Sequence, residues 1–294
     1  MKNYIVSSNR MFQDFLQKDR LKNGRTELYA GDVSIKTVTY TDGYSLDIYR
    51  PKNAPDNEPL PVIVDIHGGG YIACSKETNI MQSRWFAKNG YCTVTPDYPL
   101  LPENTIPQAL RCIFKVLEFI KNNAQQYGFD TDNVFMTGDS SGAHMTLIAA
   151  ALQNSMELRA QYGISSDAVR IKRFAVTCPV GSAGLLTGIL RPVLGKHASD
   201  EIKYFRSISL SDLVSQCSYP DIFILTSEDD IGIHYETLHL HLLLNAANIF
   251  HFYKSYKGST HKLEHVWNVL FPEWDESQEA NGDILRFFET GKPE

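Results

Sequence analysis

Hydrophobic positions change period several times along the chain, and each change marks an element. Residues 1–25 carry Met11, Phe12, Phe15 and Leu16 one turn apart, which predicts an amphipathic helix. VSIKTVTY and YSLDIYRP then alternate apolar and polar positions around Thr41-Asp42-Gly43, a hairpin signal. After the polar loop PDNEPL, the run PVIVDIH (61–67) is short, apolar and rich in β-branched residues, as expected of a buried strand.

From there strands and helices alternate. TNIMQSRWFAKNG predicts a helix stopped by Gly90, and YCTVTPDY a strand. IPQALRCIFKVLEFIKNNAQQYG predicts one long helix with Ile113, Val116, Leu117 and Ile120 on one face. NVFMTG (133–138) reads as a strand and SGAHMTLIAAALQ as a helix; IKRFAVTCPV and DIFILTSE (221–228) read as strands. IHYETLHLHLLLNAA is a helix, IFHFYKSYKG (249–258) the last strand and ANGDILRFFE a closing helix. This order predicts an α/β fold with a mostly parallel central sheet and helices on both faces. The segment 181–219, with Gly181, Gly184, Gly188, Pro192 and Gly195, breaks the rhythm and is expected to form a lid or pocket wall.

Composition narrows the class. The 294 residues suffice for one large domain, and a net charge of −6 offers no basic stripe for nucleic acid or anionic lipid. No run approaches the ~18 apolar residues of a membrane span, and the N-terminal stretch lacks the uninterrupted apolar core of a signal peptide. Cys74, Cys92, Cys112, Cys178 and Cys217 are odd in number without C-x-x-C spacing, which fits reduced thiols in a cytoplasmic protein.

Two glycine-rich stretches carry the chemistry. Gly138-Asp139-Ser140-Ser141-Gly142 fits G-x-S-x-G, with a predicted strand before it and a helix after it. Glycines flank a nucleophile at such a turn so that nothing crowds it, and the turn lifts Ser140 above the sheet at a helix N-terminus. His67-Gly68-Gly69-Gly70-Tyr71 also follows a buried strand. A tetrahedral intermediate of acyl transfer needs fixed hydrogen-bond donors for its oxyanion, and glycine N–H groups can approach without a Cβ in the way. The Ser141 N–H, just after the nucleophile, supplies another donor. A serine nucleophile also needs a general base, and His261 or His265 could serve as one. His261-x-x-Glu264-His265 also fits the H-x-x-E-H pattern of zinc proteases, but such a site needs a third protein ligand well downstream. His234, His239 and His241 are badly spaced for one helical face and are expected to be ordinary histidines of an amphipathic helix.

HGGGY, DYPLLPENTIPQAL (97–110), GDSSGAH, SEDD (227–230) and HVWNVLFPEW (265–274) occur in the order found in one group of enzymes. The chain resembles the hormone-sensitive-lipase-like esterases of the α/β-hydrolase family over about residues 60–290. The resemblance implies an α/β-hydrolase fold spanning 1–294 as a single domain, with a helical cap from about 1–30 and 181–219. It implies a catalytic acid at Asp230, with Asp229 as the near alternative. That family often has His-Gly-Phe after the last strand, or a histidine followed by two apolar residues and a Pro-Glu tail. His265-Val266-Trp267 with Pro272-Glu273 matches the second form, so the resemblance selects His265 as base over His261.

The implied activity is hydrolysis of small, short-acyl carboxylic esters by Ser140, Asp230 and His265, with Gly69, Gly70 and Ser141 as the oxyanion hole. No metal or organic cofactor, nucleic acid or membrane is required, and the oligomeric state is left open with a homodimer as one option. Two alternatives are an amidase or formamidase on the same triad and a non-catalytic small-molecule-binding pseudo-hydrolase.

Overall fold

The computed structural model describes residues 27–55, 58–164, 167–180, 219–231 and 233–293. The expected N-terminal helix, and all but the margins of the expected cap segments 1–30 and 181–219, lie outside the described residues. The strands are β1 (Val33–Thr41), β2 (Tyr44–Pro51), β3 (Leu60–Ile66), β4 (Cys92–Pro96), β5 (Phe129–Asp139), β6 (Arg173–Thr177), β7 (Ile222–Ser227) and β8 (Phe252–Tyr256). They form one sheet in the order β1-β2-β4-β3-β5-β6-β7-β8. β1 pairs antiparallel with β2, and β2 with β4; every other neighbour is parallel. The hairpin closes where Thr41 pairs with Tyr44 across Asp42-Gly43.

Alternation along the central strands divides the core between two faces. On one face Val62, Val64 and Ile66 of β3, Val134 and Met136 of β5, Phe174 and Val176 of β6 and Ile222 and Ile224 of β7 meet three helices. These are α2 (Ile106–Asn122), α4 (Ser140–Gln153) and α6 (Ile233–Ala246), after α1 (Ile80–Lys88) earlier in the chain. On the other face Ile63, Phe135, Ala175, Phe223 and Leu225 pack against α1 and α8 (Asp275–Thr290). Covering both faces is why these strands read as continuous apolar runs, whereas edge strand β1 is mostly exposed.

Local signals set the ends of elements. Pro107 stands in the first turn of α2 and Thr105 N–H donates to Gln108 Oε1 at 2.7 Å. The helix expected over 106–128 breaks at Asn123 and resumes as the single turn α3 (Ala124–Tyr127), ended by left-handed Gly128. Two short helices carry too few apolar repeats to be read from periodicity: α5 (Met156–Gln161), capped by Ser155 Oγ on Leu158 N–H, and α7 (Trp267–Leu270). Among the described residues no helix is long and apolar enough to cross a membrane.

Phe288 of α8 stacks on Phe135 of β5 with ring centroids 4.7 Å apart, next to Phe287, which meets Phe223 and Phe252. Removing a fully buried phenylalanine costs about 3–5 kcal/mol. Phe288→Ala should lower the unfolding free energy in urea by that amount; a loss under about 1 kcal/mol would show that α8 does not hold this face.

Candidate active site

Four segments meet at the carboxyl edge of the parallel strands, where sheets of this kind bind ligands. Ser140 follows β5 directly and opens α4 with φ 52. A left-handed φ at a residue with a Cβ costs about 1–2 kcal/mol, so the neighbours must hold it. They do so by close packing. A Cβ at Gly142 would lie 2.1 Å from the Ile66 carbonyl oxygen and 2.4 Å from that of His67. Glycine there lets the start of α4 press on the end of β3.

The HGGG loop is tied to the same turn. Gly68 N–H donates to Asp139 Oδ1 at 3.0 Å, and Asn79 Nδ2 donates both to that oxygen and to Asp65 Oδ1, each at 2.9 Å. Ser83 Oγ completes the network on Asp65 Oδ2 at 3.0 Å. Gly69 takes φ +117, and a Cβ there would lie 2.2 Å from the Ala73 carbonyl oxygen, which receives no such contact from glycine. Its own carbonyl accepts the N–H groups of Ile72 and Ala73. Tyr71 N–H donates to Ser141 Oγ at 3.3 Å, and the Tyr71 hydroxyl makes a short hydrogen bond with His144 Nδ1. Among the described residues the backbone N–H groups of Gly69 and Gly70 have no protein acceptor. His67 is buried beneath Tyr98, stacked at 4.2 Å, and burial lowers its pKa to about 4; His144 is lowered to about 4 for the same reason. Both are neutral scaffold groups.

The third and fourth segments follow β7 and β8. Asp230 is buried in the turn leading to α6 and its Oδ2 lies 2.8 Å from His265 Nδ1. A carboxylate only accepts, so Nδ1 carries the proton and Nε2 presents a lone pair. That Nε2 lies 3.0 Å from Ser140 Oγ. Asp229 points elsewhere: its Oδ2 accepts Leu263 N–H at 3.0 Å, and Ser227 Oγ donates to the Leu263 carbonyl, so the two loops are stitched together. His261 is turned away from Ser140. Its Nδ1 lies 3.0 Å from Glu276 Oε2 and its ring stacks on Trp274 at 4.1 Å. Glu276 also accepts from the N–H groups of Ser259 and Thr260, and these bonds, His261 first, hold its carboxyl far below the usual range. Glu264 is exposed and pairs with Lys262 at 2.8 Å.

Some contributors carry no sequence signal. Val266 takes φ 55 immediately after His265, the left-handed step that a glycine would take freely. Cys178, Asp230 and His265 offer ligand-type atoms that all lie within 4.8 Å of one another. Burial, then the Asp230 charge, raises the Cys178 thiol well above its ordinary pKa, so it stays protonated and is a poor metal ligand. The thiol is instead a hydrogen-bonding neighbour of Asp230.

The family model described as BD-FAE matches residues 46–240, most of the chain. The chain belongs to the BD-FAE family. This BD-FAE member is similar to an acetyl esterase of Salmonella schwarzengrund, 26% identical over 262 residues that cover 82% of this chain and 76% of that one. It is similar to an esterase of Gibberella moniliformis, 29% identical over 132 residues, 44% of this chain and 41% of that one. The chain spans about two fifths of the length of that relative and of comparable curated ones. Its fold is that of the α/β-hydrolases. A phosphonate-inhibited esterase B of Lactobacillus rhamnosis superposes with TM-score 0.84 at 25% identity, covering 98% of this chain and 96% of that one.

The Asp65–Asn79–Asp139 network makes pH a probe of the scaffold. Burial raises folded Asp65 from 3.8 to about 7. A raised folded pKa means that this group's contribution to stability is full below about pH 4 and is lost as pH rises through about 7. Asp65→Asn mimics the protonated form. Relative to the parent it should gain a few kcal/mol as pH rises across that window, read by urea unfolding at each pH. A difference that is flat or falls with pH contradicts this.

Proposed function

We propose that the chain is a serine carboxylic-ester hydrolase acting on small, short-acyl esters. Ser140 is the nucleophile, His265 the general base and Asp230 the acid that orients it. The N–H groups of Gly69, Gly70 and Ser141 form the oxyanion hole. The observation that carries this reading is the hydrogen-bonded line from Asp230 through His265 to Ser140 Oγ, at 2.8 and 3.0 Å.

Each step follows from that line. His265 Nε2 takes the Ser140 proton as Oγ attacks the ester carbonyl, and Asp230 stabilises the imidazolium. The carbonyl oxygen becomes an oxyanion received by the backbone donors, each worth about 10²–10³ in turnover. His265 then protonates the leaving alcohol, giving an acyl-Ser140. Water, deprotonated by the same Nε2, releases the acid and restores Ser140.

The name of the Salmonella relative, an acetyl esterase, and the tributyrin phosphonate on the Lactobacillus esterase favour short acyl groups. HGGGY and GDSSGAH support a kinship with the hormone-sensitive-lipase-like esterases within the α/β-hydrolases. On this reading 1–294 is a single hydrolase domain, and residues 1–30 and 181–219 cap the site and limit acyl and alcohol size. A small ester is the partner it needs, and buried Cys74, Cys92, Cys112 and Cys178, which form no disulfide among the described residues, suit a cytoplasmic setting.

A nitrophenyl-ester series from acetate upward tests both activity and chain length. Turnover should be highest on the short esters and fall by about 10³-fold or more in Ser140→Ala and His265→Ala. His261→Ala should keep most of its turnover while losing thermal stability. Retained activity in Ser140→Ala, or loss in His261→Ala with retention in His265→Ala, would overturn the assignment.

A further inference from the structure

The far end of the last βα-type connection holds a second histidine pair, distant in the fold from the carboxyl edge that carries Ser140. Helix α6 ends in a turn in which Ile249 N–H donates to the Leu244 carbonyl and Asn248 is left-handed at φ 55. That turn swings the chain back so that His251, just before β8, meets His241 of α6. His241 Nδ1 and His251 Nε2 face each other at 2.8 Å.

The outer partners of the two rings fix their protons. His251 Nδ1 lies 2.8 Å from the Ile249 carbonyl, which can only accept, so Nδ1 carries the hydrogen and Nε2 is a lone pair. His241 Nδ1–H therefore donates to it. His241 Nε2 is left as acceptor for Asn245 Nδ2 at 3.1 Å. His241 also stacks on Tyr253, with centroids 4.3 Å apart and planes 23° apart. Both imidazoles are thus part-exposed, oriented by other groups, and set head-on, with ring centroids 5.0 Å apart. Burial, then the neighbouring His251, lowers the pKa of His241.

We propose that His241 and His251 form a binding site for a divalent transition-metal ion of the zinc type, with water completing its coordination. A metal-bound histidine usually donates its other ring N–H to a carbonyl or similar acceptor, and His251 already does so to Ile249. On the other side, the His241 proton moves from Nδ1 to Nε2 and donates to Asn245 Oδ1 once that amide turns over. The proton is thus relocated within His241 and none leaves the pair. Two nitrogens on one tetrahedral Zn²⁺ stand about 3.4 Å apart, so binding parts the nitrogens by about half an ångström and tilts each ring by about 35° off the line on which they now meet. The ion would clip the end of α6 to the start of β8. The Cys178–Asp230–His265 set differs on each count, since its thiol is fully buried and must first lose a proton.

Titration calorimetry with ZnCl₂ on the full chain tests this without reference to ester hydrolysis. Wild type and Ser140→Ala should bind one ion with the same affinity, and its melting temperature should rise with Zn²⁺. His241→Ala and His251→Ala should each weaken binding at least about tenfold, whereas His239→Ala, on the same helix, should not. Should His241→Ala fail to fold by circular dichroism, His251→Gln carries the test. Absence of binding in folded wild type, equal affinity in all variants, or loss in His265→Ala in place of the pair would overturn the site.

Discussion

Ser140 is held at φ 52 between a buried strand and a buried helix, and the rest of the site is arranged around that turn. A serine does not choose this conformation; its neighbours impose it. Gly142 lets α4 close on the carbonyls of Ile66 and His67, so the end of β3 and the start of α4 come within contact distance. Asp139, one residue before the serine, anchors Gly68 and through Asn79 reaches Asp65. The strained turn and the glycine loop beside it are therefore one unit. Strain of about 1–3 kcal/mol at such a residue persists only where surroundings over-determine it, and here two strands, a helix and a buried polar network do so.

His265 arrives from far along the chain and needs separate support. Nothing local to His265 would hold it against Ser140, 125 residues earlier. Three ties do that work: Ser227 and Asp229 on Leu263, and Glu276 on the backbone of Ser259 and Thr260. All of them are charge-assisted or buried bonds between the loops after β7 and β8 and the first turn of α8. The core on the α8 face, with Phe135, Phe223, Phe287 and Phe288, in turn keeps α8 on the sheet. Hydrophobic burial thus fixes a helix, the helix fixes a loop, and the loop delivers an imidazole to a serine.

Much of this was legible in the residues, and the reasons differ by element. Central strands announced themselves because both faces are buried, and the elbow and HGGG loop because close backbone approach demands glycine. The choice between His261 and His265 was not legible from spacing, since both follow β8 in the same loop. What separates them in space is Glu276, a first-turn acid of α8 with no pattern to mark it. Val266 hid the left-handed step that glycine would have advertised. The short helices α5 and α7 span too little chain for a period to emerge, and α8 begins before its apolar stripe does. The meeting of His241 with His251 depends on a helix-ending turn, which no spacing rule on the helix alone could reveal.

The proposed chemistry requires that Ser140 become acylated by virtue of its place at the turn. The most direct measurement is to treat the folded chain with a short-chain alkyl phosphonate ester and map the adduct by peptide mass spectrometry. One phosphonyl group per chain, on the peptide containing Ser140 and absent after urea unfolding, is the expected result. Labelling spread over other serines, or labelling of Ser141 or Ser227 with Ser140 untouched, would contradict it.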